Sequence, residues 1–127
     1  GPPSPTPADF PGLASELQKR GLHVGDPVAG DAGCDDTVLA PTAISFDVSG
    51  KDQATPVKVY LYVFRNKATY ERLRSTIDAC ARSYVTDATT YESVEQSPFV
   101  LAGQGPWAPE FKTTIRTAIE TAAGTGG

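Results

Sequence analysis

The sequence predicts an α+β fold, in which an antiparallel sheet of about five strands is covered by three helices that lie mainly on one face. Three observations support this prediction. Apolar residues recur at helical spacing in three stretches, and other stretches alternate apolar with polar residues as strands do. The two kinds of stretch also come in separate runs, in the order α-β-β-β-α-β-β-α, which favours an antiparallel sheet.

The N-terminal half of the chain predicts one helix and three strands. Asp9 can cap the helix, Leu13 and Leu17 belong to its apolar stripe, and Gly21 marks its end. The strands are expected over residues 22–24, 38–48 and 56–64, and a loop rich in Gly and Asp separates the first two. The third strand carries large side chains on both faces, which is typical of a central strand.

The C-terminal half predicts two helices with two strands between them. Asn66 can cap a helix over residues 67–84. The solvated face of this helix carries five charged residues, Glu71, Arg72, Arg74, Asp78 and Arg82. The strands are expected over 91–95 and 99–102, joined at 97–98, and a last helix begins at Trp107 or Pro109.

The chain is expected to consist of a leader, one domain and a tail. Residues 1–8 are rich in Pro, Ser and Thr, so we expect an extended leader that serves as a tether or has no role. The domain is expected over 9–123, and residues 124–127 form a loose tail. No apolar run approaches the ~20 residues of a transmembrane helix, and no signal peptide is recognisable. Because the chain contains no methionine, we expect a processed product whose anchor lies upstream.

The amino-acid composition and the net charge indicate a globular protein and limit the kinds of partner it can bind. With 39% apolar and 20% charged residues, the chain of 127 residues is typical of a folded globular domain. The net charge of −4 argues against a nucleic-acid partner, since binding to a phosphate backbone needs a clustered positive field. We expect a monomer without a cofactor, whose partner is a protein or a small molecule.

The two cysteines predict one disulfide. Cys34 lies in the Gly- and Asp-rich loop, and Cys80 lies on the second helix. A pair of cysteines in a short chain with an exported-looking leader favours a disulfide and an extracytoplasmic location. Two free buried thiols are the alternative. A metal or redox site is poorly supported, because there is no CxxC and His23 is the only histidine.

Three places are candidates for a binding surface. Tyr60 and Tyr62 share one face of the predicted central strand, which we expect to be half-exposed, and such side chains suit recognition. Cross-strand packing under a helix is the alternative. Trp107 is either a lid on the core or an anchor at the rim of a binding surface. Asp35 and Asp36 flank the loop cysteine and form the third candidate.

The sequence shows no motif of a known catalytic site. His23 lies on a predicted strand, where we expect an exposed or edge position. The loop aspartates have the oxygen ligands that Ca²⁺ prefers but not the spacing of an EF-hand, so we predict no metal site. A hydrolase that pairs Asp35 or Asp36 with Glu92 or Glu95 requires these carboxylates to meet in a cleft. We expect a non-enzymatic protein.

The segment Leu13-Ala14-Ser15-Glu16-Leu17, followed by Gly21-Leu22-His23-Val24-Gly25, resembles the opening of small bacterial extracytoplasmic domains, often lipoproteins. These begin with the pattern L-x-x-x-L-x-x-x-G-x-x-V. The strand at 57–64, the helix at 68–80 and the turn at 103–107 fit the same layout, so the resemblance covers most of the chain. It implies an envelope protein, and it carries over no catalytic residues.

We therefore expect a non-enzymatic extracytoplasmic binding or sensor-type domain, tethered to the bacterial envelope through its leader. The alternative is a secreted inhibitor or immunity-type protein that blocks an enzyme through the disulfide-pinned loop at 30–36. A lipoprotein and the sensor domain of a membrane receptor differ in the anchor upstream, which is lipid in one case and a helix in the other.

Overall fold

The computed structural model describes residues 10–64, 66–96 and 99–126, and it confirms the predicted fold class and element order. The leader at 1–8, Asp9 and the turn at 97–98 lie outside these residues. The helix α3 extends into the stretch predicted as a loose tail. The helices are α1 (Phe10–Lys19), α2 (Lys67–Ala81) and α3 (Pro109–Gly126), and the strands are β1 (His23–Ala29), β2 (Ala43–Gly50), β3 (Gln53–Val63), β4 (Tyr91–Gln96) and β5 (Phe99–Gln104).

The strands form one antiparallel sheet in the order β1-β2-β3-β5-β4, so β3 is the central strand, as predicted. The edge strand β1 is longer than the predicted strand at 22–24. The residue types Gly25, Asp26 and Pro27 suggest the end of a strand, but the strand continues through a bulge between Gly25 and Val28. Asp26 adopts a φ of 51° there, and Pro27 lacks the N–H that a central strand would need. The other edge strand, β4, pairs with β5 without a register shift.

Helices cover both faces of the sheet, two on one face and one on the other. α1 and α3 pack on the face that carries Phe46 and Leu61, and this face holds the larger part of the core. The opposite face carries Tyr60 and Tyr62 and is covered by α2 together with the loop between β1 and β2. Leu39 of that loop is fully buried. The sheet is therefore buried on both sides.

Two element boundaries differ from the sequence prediction for identifiable reasons. β2 begins at Ala43 rather than at 38, because Asp36 binds the backbone N–H of Leu39 and a 3₁₀ turn at Ala40–Thr42 follows. α2 ends at Ala81 rather than at 84, because the next three N–H groups donate to carbonyls three residues back. This is the hydrogen bonding of a 3₁₀ turn, in which helices commonly end.

Two helices have side-chain caps at their N-termini. Asn66 caps α2 as predicted, since its side chain accepts from the N–H of Thr69 at 2.8 Å. α3 is capped from the turn between β2 and β3, where the carboxylate of Asp52 accepts from the N–H groups of Glu110 (3.0 Å) and Phe111 (2.8 Å). Desolvation works to raise the pKa of Asp52, but these donors outweigh it and the pKa is lowered. The contact fixes the start of α3 to the sheet.

Candidate functional site

A disulfide and an aspartate hold the loop between β1 and β2 in place. Cys34 is bonded to Cys80 on α2, with 5.4 Å between their Cα atoms, which confirms the predicted disulfide. Asp31 accepts hydrogen bonds from the N–H of Gly33 (2.9 Å) and from Ser45 Oγ on β2 (2.7 Å). The loop is thus fixed both to the sheet and to α2.

The two candidate aspartates of this loop differ in their environment. Asp36 accepts from the N–H groups of Val38 (2.9 Å) and Leu39 (3.0 Å), so its carboxylate closes a turn. Asp35 is exposed, and its side chain makes no hydrogen bond within the described residues. In that part of the chain, no three His, Cys, Asp or Glu side chains come together as a metal site would require. Asp36 therefore serves to shape the loop.

Three tyrosines pack beneath the loop. Tyr62 Oη donates to the carbonyl oxygen of Ala32 at 2.8 Å and accepts from Tyr84 Oη at 3.0 Å. The rings of Tyr60 and Tyr84 are stacked, with 4.0 Å between their centroids. Gly33 lies so close to these two rings that a Cβ atom there would be less than 3.0 Å from both. The loop, the tyrosines and the disulfide form one packed unit.

The structure corrects the expectation of a half-exposed tyrosine face. Tyr62 is 0% exposed and Tyr60 is 8% exposed, because α2 and the loop cover them. Trp107 is 5% exposed and packs edge-on against Phe111, with 6.0 Å between ring centroids. Its Nε1 donates to the carbonyl oxygen of Gln104 at 3.3 Å. Trp107 thus lies on the core as a lid, the first of its two interpretations, and a binding role for these residues stays a prediction.

A cleft of about 460 Å³ lies between α2, β4 and the connection that joins them. We call it the α2–β4 cleft. Its wall combines apolar, aromatic and charged side chains, a mixture that suits a ligand with an apolar body and a few polar groups. The lining residues are Asp78, Ala81, Arg82, Val85, Ala88 and Tyr91.

A hydrogen-bonded network fixes one wall of this cleft. Arg74 donates to Glu95 on β4 through Nε (2.7 Å) and to Asp78 through a terminal nitrogen (2.9 Å). Tyr70 Oη donates to Glu95 (2.8 Å), and Tyr91 Oη donates to Asp78 (3.4 Å). The hydrogen bond from Arg74 holds the pKa of Glu95 below its usual value, although burial opposes this. Asp78 and Tyr91 are therefore positioned before any ligand arrives.

Gln104 fixes the other wall. Its side-chain oxygen accepts from the N–H groups of Thr86 (2.6 Å) and Asp87 (2.9 Å), and its nitrogen donates to Thr90 Oγ1 (2.7 Å). The N–H of Val85 donates to the carbonyl of Ala81 at the end of α2 (2.8 Å). The segment that lines the cleft is therefore tied to both α2 and β5.

No sequence motif marks the cleft residues as a site. Asp78 and Arg82 lie on the helix face predicted to be solvated, and Tyr91 begins a predicted strand. The available signal is Val85 and Ala88, two apolar residues in a turn that is otherwise polar. The cleft itself depends on how the connection folds back, which the residue pattern does not show.

Glu92 and Glu95, two of the carboxylates considered for a hydrolase, are each held in an ion pair. Glu92 and Glu95 lie on opposite faces of β4, where Glu92 pairs with Lys112 of α3 (2.6 Å) and Glu95 pairs with Arg74 of α2. The pairing of Asp35 or Asp36 with one of these glutamates, which a hydrolase would require, stays a prediction. His23 is exposed on the edge strand β1, which is its expected position.

The tyrosines provide a test of this packing. Burial raises the pKa of all five tyrosines in the chain, to about 12 for Tyr70. We expect most of the rise in absorbance of the folded protein at ~295 nm to occur above pH 10, the ordinary tyrosine pKa. Above that pH the unfolded chain loses protons that the folded chain keeps, so stability should fall as pH rises. Ionisation of most of the tyrosines near pH 10, with the far-ultraviolet circular dichroism unchanged, would contradict the described burial.

Comparison of the chain with protein-family models, curated proteins and solved structures finds no match. The resemblance to bacterial extracytoplasmic domains therefore stays a prediction. The disulfide between Cys34 and Cys80 is compatible with an oxidising, extracytoplasmic location. None of the helices within the described ranges has the length and hydropathy to cross a membrane.

Proposed function

We propose that this chain is a non-enzymatic binding domain of an extracytoplasmic compartment and that its ligand lies in the α2–β4 cleft. The observation that carries the proposal is the cleft itself. Its volume of about 460 Å³ falls in the range of about 300–1,000 Å³ found for small-molecule sites. Because Arg74 and Gln104 hold its two walls, binding costs little ordering of the protein, which favours affinity.

Two further observations support the compartment and the absence of catalysis. A disulfide persists where the environment is oxidising, so a location outside the reducing cytoplasm agrees with the bond between Cys34 and Cys80. Glu92 and Glu95 are committed to separate ion pairs. The Pro-rich residues 1–8 supply a tether to the envelope in this proposal.

A screen of small-molecule fragments against ¹⁵N-labelled protein tests the site. We expect the fragments that bind to shift the amide signals of residues 78–91. The variant Ala88→Phe, whose ring fills the cleft, should lose these shifts. Ala79→Phe changes an exposed residue of α2 that does not line the cleft, so this control should keep them. Fragments that shift other signals alone, or that bind both variants equally, would contradict the proposal.

A second candidate function is inhibition of an enzyme through the disulfide-pinned loop. One observation favours it: Val38, two residues beyond the loop at 30–36, is 56% exposed, and Asp36 of that loop accepts a hydrogen bond from its N–H. A rigid loop with an exposed apolar side chain is a suitable shape for insertion into a partner's pocket. The two functions place the contact at different sites. Val38→Asp should therefore abolish inhibition but leave fragment binding in the cleft unchanged.

A further inference from the structure

The charges around the α2–β4 cleft are unequally compensated. Asp78 receives hydrogen bonds from Arg74 (2.9 Å) and from Tyr91 Oη (3.4 Å). Arg74 in turn also binds Glu95. The negative charge of Asp78 is therefore already paired with a cation on its own helix, and it offers little to a cationic ligand.

Arg82 is the charged side chain of the cleft that has no ionic partner among the described residues. It follows Asp78 by one helical turn, a spacing at which an acid and a base commonly pair. No ion pair or side-chain hydrogen bond of Arg82 occurs within the described ranges; Asp78 is bound instead, through Oδ1, by Arg74 and Tyr91. Its exposed guanidinium lines the cleft with its donors available. A planar group of this kind binds carboxylate, sulfonate or phosphate oxygens in a fork.

The rest of the wall favours an apolar body. Ala81, Val85 and Ala88 contribute small apolar side chains, and Tyr91 contributes an aromatic ring. Burial raises the pKa of Tyr91, so its phenol stays neutral and does not repel an anion. The cleft thus presents an apolar surface with one uncompensated positive charge.

We propose that the ligand of the α2–β4 cleft is an amphipathic anion, with an apolar or aromatic body against Ala81, Val85 and Ala88 and one acidic group paired with Arg82. This inference rests on the proposed function and adds the class of ligand. Any ligand with an apolar body and one acidic group belongs to this class, so a fatty acid and an aromatic sulfonate are both examples of it.

The test compares probes that share a body and differ in charge. Octanoate, octanol and octylamine are titrated into ¹⁵N-labelled protein, and 8-anilinonaphthalene-1-sulfonate serves as the aromatic anion. We expect the two anions to shift the amide signals of residues 78–91 and octanoate to bind about fivefold or more tightly than octylamine, since a charge-assisted hydrogen bond at an exposed site contributes at this level. Arg82→Gln should remove most of that difference, and Arg82→Lys should restore part of it.

Arg72→Gln is the matched control, because Arg72 is an exposed arginine of α2, the helix that Arg82 directly follows, and it does not line the cleft. It should bind octanoate as the unaltered protein does. Equal binding of octanoate and octylamine in the cleft, or a full response in Arg82→Gln, would overturn the inference while the proposed function stands. If no probe and no fragment shifts the cleft signals, the proposed function fails as well. Thermal unfolding of each variant establishes that a lost response is not lost folding.

Discussion

Replacement of Cys34 and Cys80 by alanine is expected to lower the free energy of unfolding by about 4 kcal/mol. The bond closes a loop with a sequence separation of 46 residues, and the chain-entropy model assigns about 4 kcal/mol to a loop of this length. Because the bond also holds the loop over Tyr62, we expect its loss to loosen the tyrosine cluster. Urea unfolding of the oxidised protein and of the double variant measures the difference.

Reduction of the unaltered protein provides the control for this prediction. The reduced protein and the double variant should unfold at similar urea concentrations, since both lack the cross-link. A difference of less than about 1 kcal/mol between oxidised protein and variant would contradict the stabilising role. Two titratable thiols in the unreduced, unfolded protein would contradict the bond itself.

Gly33→Ala is expected to cost about 3 kcal/mol, for two reasons that can be separated. Gly33 has a φ of +82°, which costs roughly 1–2 kcal/mol for a residue with a Cβ. The Cβ would also lie 2.5 Å and 2.7 Å from ring carbons of Tyr84 and 2.9 Å from one of Tyr60. Tyr84 cannot turn away freely, because its ring is stacked on Tyr60 and its hydroxyl is bonded to Tyr62. Overpacking of this kind adds roughly 1–3 kcal/mol.

Gly30→Ala is the matched control. Gly30 has a φ of +81°, but no atom lies within 4 Å of the position its Cβ would take. The variant should therefore show the backbone cost alone, about 1 kcal/mol. Near-ultraviolet circular dichroism should change in Gly33→Ala, where the tyrosines are displaced, and not in Gly30→Ala. Equal losses of stability in the two variants would show that the tyrosine packing contributes nothing.

The sequence predicted the features that short-range patterns determine. Asn66 has the residue type and position of a helix cap, and it caps α2. The alternation around Leu61 identified the central strand, and the two cysteines identified the disulfide. The β1 bulge was missed because Gly, Asp and Pro at 25–27 are the residue types of a strand end, and only pairing with β2 distinguishes a bulge from a turn.

The site was not predictable from the same patterns, because its formation depends on contacts between distant residues. Alternation shows that Tyr60 and Tyr62 share a face, but it does not show that a loop bonded to Cys80 will cover that face. The α2–β4 cleft exists because Gln104 holds the connection after α2, a contact between residues 14 to 18 positions apart. The sequence spacing suggests that Arg82 pairs with Asp78, and only the structure shows that Asp78 binds Arg74 instead.

The two edges of the sheet differ in a way that bears on aggregation. The bulge in β1 and Pro27 within it interrupt the row of backbone groups that another chain could pair with. β4 has no proline among its six residues and keeps a regular register. Growth of the sheet from one copy to the next is therefore expected at β4, and Glu92 and Glu95 are the charged side chains that oppose it. Replacement of Glu92 and Glu95 by uncharged residues should therefore favour association of the folded protein through this edge.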